Sequence, residues 1–118
     1  MGGYVQALAK QTNLSINQPQ TFTANATIPA PSGIILMHGA AAITITVPAP
    51  IAAQDGTEAV FYTDTAFAHV VSFTGATLLS VGVAKTTSTS GGLVGEFLKA
   101  FARNGFWVVE SSAGQTFA

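Results

Sequence analysis

From Thr21 onward the chain consists of short runs, each cut off within a few positions by Gly, Pro, Asp-Gly or Asn-Gly. Ile43-Thr44-Ile45-Thr46-Val47 is the clearest, and Pro48-Ala49-Pro50 ends it. Alternation at period two sends successive side chains to opposite faces of a strand, one buried and one wet. Proline has no N–H to donate and stops the ladder.

The same pattern recurs along the chain. Phe22 to Ile28 is rich in Thr and small residues and is broken by Pro29-Ala30-Pro31-Ser32-Gly33. Ile34 to Met37 is continuously apolar, as expected of a strand buried on both faces. Gln54-Asp55-Gly56 is a turn, and Glu58 to Thr63 follows with Val60 and Tyr62 on one face and Phe61 on the other. Ala68 to Phe73 sets His69, Val71 and Phe73 on one face. Leu78 to Val83 is another apolar run, with Gly82 inside it. Lys85 to Gly92 is polar, Thr/Ser-rich and ends in Gly-Gly, so an exposed loop is expected.

Leu93 to Arg103 fits two templates. Val94, Phe97, Leu98 and Phe101 have helical spacing, while Leu93, Phe97 and Phe101 share one face of a strand. Asn104-Gly105 suits a helix end or a type I′ hairpin turn. The strand-like Phe106-Trp107-Val108-Val109 that follows favours the hairpin. Residues 115–118 can supply a last strand. About eight short strands with turns between them predict an all-β fold, a jelly-roll-like β-sandwich over residues 21–118. The 15 Thr suit such sheets because their β-branch packs well on a pleated surface.

Residues 1–20 differ from the rest. Tyr4, Val5, Leu8, Leu14 and Ile16 are scattered among Gln and Asn. We expect an N-terminal arm that orders against a partner; the alternative is a short helix or edge strand packed on its own domain.

Charge narrows the function classes. Only nine of 118 residues are Asp, Glu, Lys or Arg, which is 8% against roughly 25% in average domains. Gln11 to Gln54 contains none. A lone soluble domain usually keeps its surface wet with charge, so scarcity points to an assembly component. A net charge of −1 gives no basic footprint for nucleic acid or an anionic membrane. The absence of Cys excludes disulfides and thiol chemistry. Residues 1–9 carry no charged side chain and lead into no long apolar region, so no secretory signal is expected. Ile34 to Ala53 is apolar, but its prolines and alternation describe strands and not a membrane span.

Candidates for chemistry are few. His38 and His69 are the only imidazoles and lie in no HxH or HExxH pattern, so no zinc site is expected. His69 reads as a packed or interface histidine and His38 as a hydrogen-bonded turn residue. Asp55, Glu58 and Asp64 form the only acidic cluster, without the dense oxygen spacing of a calcium loop. Nothing marks one of them as a glycosidase acid. Ser111-Ser112 makes no triad pattern with a distant His, and Gly91-Gly92 reads as a flexible loop. No nucleotide-binding or nucleophile-elbow motif is present. We therefore expect no catalytic residues, no metal and no cofactor. Trp107, beside a turn, is the candidate for a partly exposed ring that could contact a surface ligand.

One order of segments carries a resemblance. The Pro-terminated strand Ile43 to Pro48 is followed by Asp55-Gly56-Thr57-Glu58-Ala59-Val60-Phe61. Next comes Ala68-His69-Val70-Val71-Ser72-Phe73-Thr74-Gly75, and last Ala102-Arg103-Asn104-Gly105-Phe106-Trp107-Val108-Val109. Residues 43–109 resemble small β-sandwich proteins of tailed-bacteriophage virions, the head decoration (cement) proteins and the head or tail fibre modules. The resemblance implies a virion structural protein, not an enzyme. It implies a homotrimer on the outer capsid surface, made in the host bacterial cytoplasm, that binds and stabilises the major capsid protein lattice. Tyr4, Val5, Leu8, Leu14 and Ile16 would be the capsid-binding arm, with no contact to nucleic acid or membrane. The alternatives are a fibre or spike module that binds host-surface glycan, and a minor coat or tail subunit.

Overall fold

The computed structural model describes residues 18–118. Over that range the chain is all-β, with two sheets and one short 3-10 turn at Ala52–Gln54. The first six strands are β1 (Gln20–Phe22), β2 (Ala26–Thr27), β3 (Gly33–Met37), β4 (Thr44–Val47), β5 (Glu58–Thr63) and β6 (Val70–Phe73). They alternate between the sheets: β1, β3 and β5 pair in parallel in one, β2, β4 and β6 in the other. The chain therefore winds three times around a common interior before it reverses.

The remaining strands close the two layers. They are β7 (Leu78–Ser80), β8 (Val83–Lys85), β9 (Thr87–Ser90), β10 (Phe97–Arg103), β11 (Phe106–Ala113) and β12 (Gln115–Phe117). The large sheet has the order β1-β3-β5-β10-β11-β7-β8, and the small sheet β12-β9-β6-β4-β2. The all-β class expected from the sequence is what the chain adopts. The strands number twelve, not about eight, because several are only two or three residues long. Five of the ten pairings are parallel, whereas a jelly roll pairs its strands antiparallel, so the registers give that finer label no support.

The inward faces make one apolar interior. Ile35, Met37, Phe61, Leu98, Ala100, Ala102, Trp107 and Leu78 come from the large sheet, and Ile45, Val47, Val71 and Phe73 from the small one. The Phe61 and Phe73 rings meet across the layers edge to face, with centroids 6.2 Å apart. Trp107 is fully buried, and its Nε1–H donates to the Pro48 carbonyl at 3.2 Å, just beyond β4. One side chain thus ties the far part of the large sheet to the small sheet.

Several local expectations are corrected. Phe22 to Ile28 is two strands, broken at residues 23–25. Ile34 to Met37 is buried on one face only, since Ile35 and Met37 point inward while Ile34 stays 41% exposed. The Thr/Ser-rich stretch after Lys85 is not a loop. Thr87–Ser90 forms β9 inside the small sheet, with Ser88 and Ser90 buried. Leu93 to Arg103 contains no helix: 93–96 is a turn and β10 begins at Phe97. The hairpin at Asn104-Gly105 forms as expected, with Arg103 opposite Phe106 and φ of 52° and 81° at the turn, the left-handed values that type I′ requires. Residues 115–117 supply β12.

Candidate functional site

The polar residues gather where β3 and β5 end. His38 Nδ1 and Asp64 Oδ2 lie 2.7 Å apart, half exposed, on the turns leaving those strands. His69 lies deeper, with no exposed surface. The Ile43 N–H donates to its Nδ1 at 3.1 Å. A backbone amide can only donate, so the neutral ring carries its proton on Nε2, 2.9 Å from Thr65 Oγ1. Nε2–H therefore donates to that oxygen, and the Thr65 hydroxyl donates onward to the Gly39 carbonyl at 2.7 Å. Burial lowers the His69 pKa below 6.5; hydrogen bonding at Thr65 opposes the shift and the His38 charge adds to it. With both nitrogens occupied, His69 acts as a brace between the turn before β4 and the turn after β5, which is the packed role the sequence suggested.

The other candidates for chemistry are held apart. Asp55 accepts the Asn104 N–H at 3.2 Å and joins the Asp-Gly turn to the Asn-Gly hairpin. Glu58 lies 3.9 Å from Lys99, and Asp64 holds His38. Among the described residues no three His, Asp or Glu side chains come close enough to hold a metal. Among the described residues neither imidazole has a serine partner, and Ser111 lies opposite Lys99 in the sheet. Trp107, the expected surface contact, cannot present its ring to a ligand because it is 0% exposed. Its parity explains this: it stands opposite Ala102 on the inward face, while Phe106 and Val108 point outward. Tyr4, Val5, Leu8, Leu14 and Ile16 lie outside the described residues. Gln20, placed in the arm by the sequence, already pairs with Ile35.

One cleft opens on the small sheet. It holds about 250 Å³ between Asn25, Ala26, Thr27, Thr44 and Thr46. The Asn25 side-chain oxygen accepts the Thr44 N–H at 2.8 Å, so its main polar group is already engaged. The cleft contains no titratable group and falls below the ~300 Å³ lower end of small-molecule pockets.

The outward sheet faces are the larger features. On the small sheet, one row runs Thr27, Thr46, Ser72, Thr87 and the next Thr44, Val70, Thr89, Thr116. On the large sheet, the rows run Leu36, Tyr62, Phe97, Ala113, then Ile34, Val60, Lys99, Ser111, then Glu58, Phe101, Val108, Leu79, Ala84. Lys99 bonds Glu110 at 2.9 Å, which raises the Lys99 pKa and lowers that of Glu110. Among the described residues Arg103 is the other cation on this face, across from Phe106. The sequence carried this signal in β10, where Phe97 and Phe101 occupy one parity and Leu98, Ala100 and Ala102 the other. Phe97 and Phe101 alternate there with Lys99 and Arg103, so this parity mixes two aromatics with two cations.

No protein-family model matches the chain, and no curated protein matches it.

Proposed function

We propose that this chain is a non-enzymatic structural protein of a tailed-phage virion. As a decoration, or cement, protein it binds the outside of the head as a trimer and reinforces the major capsid protein lattice. The observation that supports an assembly role is the outward face of the large sheet. It sets Ile34, which is exposed, and Leu36, Val60, Tyr62, Phe97, Phe101 and Val108, which are partly exposed, in rows shared with Glu58 and Lys99, where a monomer would carry mostly polar groups. The scarcity of charge points the same way. The capsid as partner comes from the resemblance over residues 43–109. The arm residues Tyr4, Val5, Leu8, Leu14 and Ile16 then anchor the trimer, and binding only the assembled shell stabilises that state by mass action. No catalytic step and no cofactor enter this role. The glycan-binding alternative loses its named contact with the burial of Trp107.

Heads assembled without this protein supply the test. The full chain is expected to co-sediment with them and to raise the temperature at which they rupture. A chain lacking residues 1–17 is expected to stay folded and remain in the supernatant. Full-length protein that never pellets with heads overturns the proposal, and a truncated chain that decorates normally removes the arm from it.

A further inference from the structure

Two hairpins in the large sheet turn through two residues with φ positive at both. One uses Asn104-Gly105, the pair such a turn favours. The other joins β7 to β8 through Val81-Gly82, with φ of 48° and 77° and Ser80 opposite Val83. A β-branched residue is a poor fit to the left-handed region, because its side chain crowds the backbone there. Val81 is also 98% exposed, so among the described residues no packing offsets that strain. The same molecule shows the unstrained solution one hairpin away. Strain held at an exposed apolar side chain suggests contact with something outside the chain.

The position of the tip indicates what that is. The outward row Phe101, Val108, Leu79 runs on to Ala84 in β8, and the Val81 tip joins β7 to β8 at that edge of the face. Val83, opposite Ser80 and on the other parity from Leu79 and Ala84, is half exposed at the tip but is not part of that face. That face carries two anions, Glu58 and Glu110, and two cations, Lys99 and Arg103. Their formal charges cancel. Lys99 is already paired with Glu58 and Glu110 within the chain, so the face offers a partner little free charge, and another copy of this charge-poor chain, with nine charged residues in 118, matches it.

We infer that the outward face of the large sheet, extended by the Val81 hairpin tip, is the surface through which copies of this chain associate. The inference rests on the assembly role proposed above and names the surface that serves it. Val81 acts as an anchor seated against a neighbouring copy, at the expense of the isolated chain.

The test needs no capsid. The Ile34→Lys/Phe101→Lys protein is expected to keep its circular dichroism spectrum and to scatter light as a single chain, while Thr46→Lys, on the other sheet, keeps the wild-type mass. V81N, which restores Asn-Gly, is expected to weaken association at least tenfold and to raise the denaturation midpoint of the dissociated chain. A double-lysine protein that keeps the wild-type multimeric mass, or V81N protein that associates as tightly as wild type, overturns the inference. Should the double variant not fold, single cysteines decide, since the chain has none of its own. A nitroxide on Ile34→Cys is expected to be immobilised and one on Thr46→Cys mobile; equal mobility at both sites overturns the surface. Protein that pellets with heads yet scatters as one chain removes this surface and leaves head binding standing. Protein that multimerises through this face yet ignores heads does the reverse.

Discussion

The outward faces of the two sheets differ more than their inward faces do. Inward, both are apolar, with Phe61 of one sheet against Phe73 of the other. Outward, the small sheet shows Thr27, Thr44, Thr46, Thr87, Thr89 and Thr116, with Ser72 and a single Val70. Threonine keeps the β-branch that a pleated strand favours and adds a hydroxyl that water can solvate. The large sheet keeps the same strand-forming character with Ile, Val, Leu, Phe and Tyr, whose outward surface water cannot satisfy. A chain poor in charge can thus make one face compatible with solvent through hydroxyls and leave the other for protein. The lesson is that strand propensity and surface polarity are separate choices. Here they diverge between two sheets of one fold.

The largest expected effect concerns the layer that both faces share. Trp107→Ala removes the indole that bridges the sheets and its bond to Pro48, and is expected to cost about 3–5 kcal/mol in chemical denaturation. A loss below about 1 kcal/mol would mean that the two sheets are not held through this residue.

A smaller effect is expected from acid at the brace between the sheets. His69 is buried neutral with its pKa lowered, so the unfolded chain takes up a proton near 6.5 while the folded chain does not. Stability from this group is complete above that value and declines as pH falls below it, down to the folded pKa. The limit is one proton, or ~1.4 kcal/mol per pH unit. His38 and Asp64 are the titratable pair nearest the brace, so the comparison is made on a His38→Gln background. Denaturation midpoints that stay flat from pH 7 to pH 5 would show that His69 takes up its proton freely in the folded chain.

The smallest effect compares the faces most directly. Val60→Thr and Val70→Thr make the same chemical change on the large and the small sheet. Val60→Thr is expected to weaken self-association about three- to tenfold, which is at most ~1.4 kcal/mol. Val70→Thr is expected to leave it unchanged, since its row is already Thr. Equal effects would erase the distinction between the faces.

Much of the architecture was legible in local pattern. Alternation located β4, β5 and β6, and Asn104-Gly105 located the hairpin. What stayed hidden has physical reasons. β9 carries Thr87-Ser88-Thr89-Ser90, which has no apolar period, yet β6 and β12 bury its serines between them. Val81-Gly82 does not resemble a type I′ turn in sequence, and only the backbone shows it. Parallel winding depends on which sheet each strand joins, which no short window encodes. His38, Asp55 and Asp64 lie on turns and His69 is packed, as their sequence settings suggested, whereas Glu58 stands in β5 beside Lys99. Trp107 was misplaced because proximity to a turn outweighed its parity with Ala100 and Ala102. Phe97 and Phe101 of β10 are the outward aromatics a short window shows, interleaved with Lys99 and Arg103, and it takes the register of neighbouring strands to show that they join one surface.

The proposed cover for the outward face of the large sheet is further copies of the chain. Sedimentation equilibrium of the full-length protein, without any other component, tests it most directly. The account predicts a species of three chain masses across the micromolar range. A single chain mass over that range would contradict it.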